Sequence, residues 1–325
     1  RYELLVTIKI NQPVGRKSLL NFINMTERQL RTECEVLSKL GLITKNSTGM
    51  SVTEKGETLL LEIKESVIND SFAKERSFIK NNFSVKQIHI VAGDFVNNEA
   101  TREEMTSLLL DKVNAKITKE CVIGVSGGST MYYIAGKANE TFGYGKDVTI
   151  TPIRGGLSVV NTEYQANDIA SKMANNSGHN YQLLHAPDNI GQKALEELIK
   201  EPVVKNALDV IEKTSIIIHS IGNAFEMAQR RKSSKEILKV LEEKKAVSES
   251  FGSYFDESGS EIFKTSTIGM SFKDVDGIDN VFTIVGGEEK ADAVFSYLNT
   301  KPANATLIID EAICKKIIKK VNKNF

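Results

Sequence analysis

Three short segments carry residues whose types and spacing suit the binding of an anion. They are Gly124-Val125-Ser126-Gly127-Gly128-Ser129-Thr130, Ile221-Gly222-Asn223-Ala224 and Gly286-Gly287-Glu288-Glu289-Lys290. Each follows an apolar run that reads as a strand. In the first, the Gly127, Gly128, Ser129, Thr130 turn exposes backbone N–H groups and two hydroxyls where a helix begins, and there the helix dipole favours negative charge. Basic residues accompany the glycines. Arg154 stands between Pro152-Ile153 and Gly155-Gly156, Arg230 and Arg231 follow the second turn, and Lys290 closes the third. Arginine offers phosphate a bidentate fork and lysine a point charge. Each turn taken alone is equally a tight strand-to-helix turn that needs glycine, and each basic residue a solvated surface charge. Their recurrence after successive strands favours an anion crevice. Gly124-Val125-Ser126-Gly127-Gly128 also fits the GxSxG nucleophile elbow of hydrolases, with Asp209 and His219, or Asp168 and His179, as the remaining members in order. No HGGG-like oxyanion segment accompanies it, and His219 sits in an apolar strand.

Strands alternating with helices must position these turns. From Val85 onward, strands are expected at Gln87–Ala92, Cys121–Val125, Val148–Ile153, Tyr181–Leu184, Ser215–Ser220, Val281–Val285 and Thr306–Ile309. Several are unbroken Ile/Val runs, the pattern of strands buried on both faces. Between them helical spacing predicts Glu99–Ile117, Thr130–Thr141, Gln165–Asn175, Gln192–Ile199, Val203–Thr214, Lys235–Glu243, Ala291–Leu298 and Glu311–Val321. This alternation predicts an α/β domain, a mainly parallel sheet with flanking helices. Such sheets bind ligands beyond the carboxyl ends of their strands.

The first seventy residues follow another pattern. Helical spacing covers Arg1–Ile10 and Arg16–Ile23, separated by Pro13 and Gly15. Thr26, followed three residues later by Gln29, is a capping box that opens a third helix reaching about Leu40. Leu30, Cys34, Leu37 and Leu40 form its apolar stripe, which leaves Arg28, Gln29, Arg31 and Thr32 free near its start. Leu42-Ile43-Thr44 and Met50-Ser51-Val52 read as a hairpin around a polar turn that starts at Lys45, and a long helix is expected from Glu54 to about Asn69. Three helices and a hairpin are the order of a winged helix-turn-helix, whose third helix enters the major groove of DNA. Residues 1–53 hold eight Lys/Arg and four Asp/Glu, a local excess of +4 that suits a phosphate backbone.

At 325 residues the chain is long enough for two domains. The expected boundaries are 1–70 for the DNA-binding part, 71–84 for a polar linker and 85–325 for the α/β part. The 42 basic and 42 acidic residues cancel, so any nucleic-acid site must be local. No apolar run approaches a membrane span. The chain starts at Arg1 rather than Met, which leaves a lost signal peptide open. Cys34, Cys121 and Cys314 show no metal or disulfide spacing and read as free thiols in a reducing compartment.

Taken together, the segments resemble one family from end to end. Arg1-Tyr2-Glu3, Pro13 to Leu19, Thr26-Glu27-Arg28 with Leu30-Arg31, Ser126 to Thr130, Pro152 to Leu157, Gln165-Ala166-Asn167, Met227 to Arg231, Phe251 to Phe255 and Ala303 to Glu311 occur in the order found in SorC-type sugar-responsive regulators. The resemblance implies an effector domain similar to sugar-phosphate isomerases and deaminases that has no turnover of its own. It implies binding of fructose 1,6-bisphosphate or a related phosphosugar as allosteric effector, without cofactor or metal. By the same resemblance Gly127, Gly128, Ser129 and Thr130 would hold one phosphate, and Arg154, Gln165, Arg230, Glu249 and Lys290 would contact the sugar or the second phosphate. Ser129 stands where the family commonly has Thr, and either supplies a hydroxyl. The implied protein is a cytoplasmic, homo-oligomeric repressor of glycolytic genes, dimer or tetramer, that binds double-stranded operator DNA through Arg28, Gln29, Arg31, Thr32 and Lys45. The alternative is an active sugar-phosphate isomerase or deaminase with an amino-terminal interaction module, for which Glu249 and Asp310 are the available general bases.

Overall fold

The computed structural model of the chain describes residues 1–23, 25–60, 63, 72–156, 162–187 and 191–323. The chain divides into two compact units, Arg1–Ala73 and Lys74–Phe325.

The first unit opens with α1 (Tyr2–Asn11), a single-turn α2 (Arg16–Leu19) and α3 (Glu27–Lys39). The second helix is shorter than its apolar spacing suggests, because Leu20 to Ile23 leave the helix as a turn. The Thr26–Gln29 capping box forms as expected and fixes the start of α3. Strands β1 (Ile43–Asn46) and β2 (Gly49–Val52) pair antiparallel, Ile43 opposite Val52 and Asn46 opposite Gly49. The strands run further into the turn than expected, so Lys45 lies in β1. Asn46 shapes the turn, its side-chain oxygen accepting from Gly49 N at 3.0 Å. Val14 bridges Met50 and so adds an edge to this hairpin. Gly49 is required there: at φ +141°, a Cβ would stand 2.8 Å from Val14 N. The final helix, α4, is described over residues 54–60 and at 63, and the rest of the Glu54–Asn69 expectation lies outside the described residues. Leu4, Leu5, Ile8, Leu19, Leu30, Cys34, Leu37 and Leu60 close one core beneath these elements. Truncating Leu30 to Ala would cost about 2–5 kcal/mol.

The boundary between the units falls at the first residue of α5 (Ala73–Asn82), where a polar linker was expected over 71–84. The segment is polar because one face is exposed, yet Ile79 is fully buried and Phe83 meets Phe295 edge-on at 5.7 Å. One buried residue per three turns is too sparse a stripe to announce a helix. Then come β3 (Gln87–Val91), α6 (Glu99–Asn114), β4 (Glu120–Val125), α7 (Ser129–Lys137), β5 (Asp147–Pro152), α8 (Ala166–Ser177) and β6 (Asn180–Tyr181). The chain continues through α9 (Gln192–Leu198), α10 (Pro202–Ile211), β7 (Thr214–His219), β8 (Gly222–Asn223), α11 (Ala224–Arg230) and α12 (Lys235–Glu243). It ends with β9 (Ser248–Ser250), β10 (Ser253–Phe255), β11 (Glu261–Lys264), β12 (Asn280–Val285), α13 (Ala291–Asn299), β13 (Ala305–Asp310) and α14 (Glu311–Lys323).

Among the described residues, seven strands form one sheet in the order β3-β13-β12-β7-β4-β5-β6. Every pair in it is parallel, with helices supplying the crossovers. Ile123, Ile150, Ile216, Ile218, Ile284 and Ile308 pack with the inner faces of α6, α7 and α8. Strand β6 is shorter than expected, because Leu184 N bonds the Asn167 side chain at 3.0 Å instead of a neighbouring strand. A second sheet, antiparallel in the order β11-β10-β9-β8, was not anticipated. Its strands have two to four residues, and its buried members include Ser248, Glu249, Ser250 and Ser253. Hydrophobic alternation is therefore absent from the segment that forms it.

Candidate functional site

The order of the large sheet creates a switch point between β7 and β4, from which successive connections leave in opposite directions. Glycine turns follow the carboxyl ends of β4, β7 and β12 on this edge. After β4, Gly128 adopts φ +119° and donates its N–H to Tyr164 O at 2.8 Å. A Cβ on Gly127 would stand 2.8 Å from the same oxygen. Helix α7 starts at Ser129 with no side-chain cap, so its leading N–H groups are offered to whatever occupies the crevice. Ser129 is exposed and Thr130 buried. Lys290 reaches this turn from β12 and donates from Nζ to Thr130 Oγ1 at 3.3 Å. Burial pulls the Lys290 ammonium below the usual lysine range, opposed by the nearby carboxylates of Glu289, Glu226 and Asp310. Arg230 lies close enough to lower it further, and is itself paired with Glu226 one turn away on α11.

A second charged group forms where β5 meets the small antiparallel sheet. Arg154 backbone bridges Gly269, and its side chain is almost fully buried. Its Nη1 lies 3.7 Å from Glu249 Oε1. Arg231 donates from Nη2 to the same oxygen at 2.8 Å and from Nη1 to Tyr254 Oη at 3.0 Å. Gly252 N also donates to Glu249 Oε1, at 2.7 Å. Glu249, 4% exposed, is therefore the shared counter-ion of two guanidiniums, and the trio keeps one net positive charge. The resemblance implied that Glu249 contacts the sugar or the second phosphate; here one of its oxygens is occupied within the protein. Gly252 holds φ +80°, a conformation that side chains rarely adopt, and a Cβ there would stand 2.6 Å from Arg154 Nη1.

Gln165 lies beside the turn after β4 and beside Gly156. It begins α8, its carbonyl carbon lies 3.7 Å from a Cβ built on Gly127, and its Oε1 lies 3.2 Å from one built on Gly156. Gly127, Gly128, Ser129, Thr130, Lys290 and Arg230 thus gather in one group, and Arg154 and Glu249 in another. Tyr254 was not anticipated, Arg231 was noted only as a basic neighbour of Arg230, and Asp310 was noted only as a general base of the enzyme alternative. Arg231 was visible only as half of an Arg-Arg pair; it caps α11, so its side chain departs from that of Arg230.

The nucleophile-elbow reading does not assemble. Ser126 Oγ donates to Gly127 O and accepts from Ser220 N, each at 3.2 Å, which ties the turns after β4 and β7 together. The His219 nitrogens face Thr283 Oγ1 at 2.7 Å and Ser250 Oγ at 3.4 Å, and burial lowers its pKa to about 3. His179 Nε2 bonds Phe142 O at 2.7 Å.

In the first unit Arg28, Gln29, Arg31, Thr32 and Lys45 are all exposed. Gln29 is less free than its position suggests, since its Oε1 accepts from Thr26 N at 3.0 Å in the capping box. Its amide NH2 alone remains for a base edge. Arg31 Nε pairs with Glu35 at 3.1 Å, an exposed contact worth little and readily exchanged for a phosphate. Among the described residues, no helix is long and apolar enough to cross a membrane and no cluster of His, Cys, Asp or Glu is placed to hold a metal.

Comparison with known proteins joins the two units. Residues 1–67 match the family described as the CggR N-terminal DNA binding domain, and residues 68–319 match a sugar-binding domain family. The fold and its crevice thus define a class that couples a DNA-binding unit to a sugar-binding one. The chain belongs to the SorC-type family of sugar-binding transcriptional regulators. It is 32% identical to the central glycolytic genes regulator of Bacillus subtilis over 98% of this chain and 93% of that protein. The protein of the same name from Priestia megaterium is also 32% identical, over 99% and 94%. Among solved structures, a SorC family transcriptional regulator from Enterococcus faecalis is 32% identical at a TM-score of 0.70, covering 75% of this chain and 99% of that one. The full-length sorbitol operon regulator of Klebsiella pneumoniae covers 97% and 96% at a TM-score of 0.69, and at 13% identity it shares the fold alone.

Proposed function

We propose that this chain is a cytoplasmic, homo-oligomeric repressor of glycolytic genes whose hold on double-stranded operator DNA is set by a phosphorylated sugar, fructose 1,6-bisphosphate. The observation that carries the reading is the pairing of two cationic groups along one sheet edge. The uncapped start of α7 with Lys290 and Arg230 suits one phosphate, and Arg154 with Arg231 around Glu249 suits a second. Gln165, beside the turn after β4, would contact the sugar. By linkage, the effector weakens operator binding only by as much as it prefers the DNA-free protein.

The two bases named for the isomerase or deaminase reading, Asp310 and Glu249, are both engaged within the protein. Asp310 accepts from Phe95 N, Gly287 N and Ile313 N, and Glu249 is held by Arg231 and Gly252. A protein without turnover fits both facts.

The test is operator binding by fluorescence anisotropy, using a duplex selected from random sequence by the full chain. The expected result is a shift in operator affinity on adding fructose 1,6-bisphosphate and none with fructose. An affinity unchanged at millimolar bisphosphate overturns the effector assignment, and turnover of any sugar phosphate by the full chain overturns the non-enzymatic reading.

A further inference from the structure

The Asp310-Glu311 pair, singled out in the sequence, has no place in the phosphate-binding scheme, and Asp310 is completely buried. It ends β13, which lies between β3 and β12 in the sheet. From that place it reaches the loops on both sides. Asp310 Oδ2 accepts from Phe95 N at 2.9 Å in the loop after β3 and from Gly287 N at 2.6 Å in the turn after β12. Oδ1 accepts from Ile313 N at 2.9 Å and so caps α14. Its neighbour Glu311 takes Gly93 N at 3.0 Å. The Gly286-Gly287 turn fits this arrangement and no bulkier pair would: a Cβ on Gly286 would collide with the Phe95 side chain, and Gly287 holds φ +101°. Lys290 N in turn donates to Gly287 O at 3.0 Å, so the residue that reaches Thr130 hangs from the Gly287 peptide.

We infer that Asp310 is the positioning residue of the crevice: by clamping the Gly287 peptide to Phe95 and to α14, it aims the Lys290 ammonium at the phosphate subsite at the start of α7. This deepens the reading given above and rests on it. A backbone N–H bound to a buried carboxylate is a strong, charge-assisted contact. Its loss would let the turn relax, and Lys290 would spend less time beside Thr130. Asp310 also acts through its charge. The groups facing Lys290 are Glu289, Glu226 and Asp310, which favour the ammonium, and Arg230, which opposes it. Removing the Asp310 charge therefore makes Lys290 easier to deprotonate.

The experiment measures binding of fructose 1,6-bisphosphate to the full chain by calorimetry, in the wild type and in Asp310→Ser, Lys290→Met and the double variant. Serine keeps an oxygen to cap α14 while withdrawing the acceptor from Gly287 N. Asp310→Ser should bind the bisphosphate about tenfold more weakly, as when a charge-assisted contact is loosened rather than deleted. In the Lys290→Met background the same change should have almost no effect, because the two residues act as one unit. The alkaline fall in affinity, as Lys290 loses its proton, should move to lower pH in Asp310→Ser. Unchanged affinity, or losses that add in the double variant, would overturn the inference. A measurement that needs no variant stands beside it: hydrogen exchange of the Gly287 and Phe95 amides in the wild-type protein. Both should be strongly protected without sugar and more so with it, and exchange at the rate of an open turn refutes the clamp. A wild type that binds no bisphosphate refutes the effector reading, while protected amides would leave the clamp in place.

Discussion

Arg154 carries a charge into a place that water barely reaches. Glu249, whose Oε1 lies 3.7 Å from the Arg154 Nη1, is also the acceptor for Arg231 and Gly252 N. A guanidinium can meet a phosphate through two parallel N–H contacts, so a buried arginine at this position suits a phosphorylated effector. Replacing Arg154 with Ala should abolish the response of operator binding to fructose 1,6-bisphosphate, and anisotropy titrations with and without the sugar measure that directly. The buried histidines give a prediction of another kind. His89 and His219 are both held near pKa 3 by burial, against an ordinary value of 6.5. The unfolded chain takes up these protons as pH falls from about 6.5 and the folded chain does not, so stability falls with pH across that window down to about 3. Urea midpoints of the wild type should drop between pH 7 and pH 5, and His219→Asn should flatten the slope.

At the scale of elements, α3 and the small antiparallel sheet show how differently local sequence can speak. The Thr26–Gln29 box and the Leu30, Cys34, Leu37 stripe are local and periodic, and α3 forms where they point. Thr26→Ala removes a cap that satisfies one of the first N–H groups of α3. It should lower stability by about 1 kcal/mol, read from urea unfolding by circular dichroism, and weaken operator affinity as the start of the helix frays. The β8–β11 sheet has no such signature, because its buried residues are serines, Glu249 and aromatics whose partners are far along the chain. Ser248 bonds Ser296, Ser250 faces His219, and Tyr254 meets Arg231. Polar residues of this kind are buried only when partners arrive from elsewhere, and periodicity carries no record of that. The linker expectation failed for the opposite reason: α5 is a true helix, but Ile79 alone marks its buried side.

For the whole molecule, a chain with no net charge must concentrate its attraction for DNA in one part, and residues 1–53 hold the +4 excess. Operator affinity should fall steeply with salt, and Lys45→Ala on the exposed face of β1 should reduce that log–log slope by about 1 if it contacts one phosphate. An unchanged slope would remove Lys45 from the phosphate footprint. The sequence by itself determined the two-part organisation, the parallel α/β sheet, the capped third helix and the glycine turns. Those depend on local periodicity and on backbone conformations that few residue types permit. Which charges meet was decided only by tertiary structure. Lys290 and Thr130 are 160 residues apart, and Asp310 and Phe95 are 215 apart. Spacing along the chain cannot record such contacts, because they exist only once β13 lies between β3 and β12 and the turns at their ends are drawn onto one carboxylate.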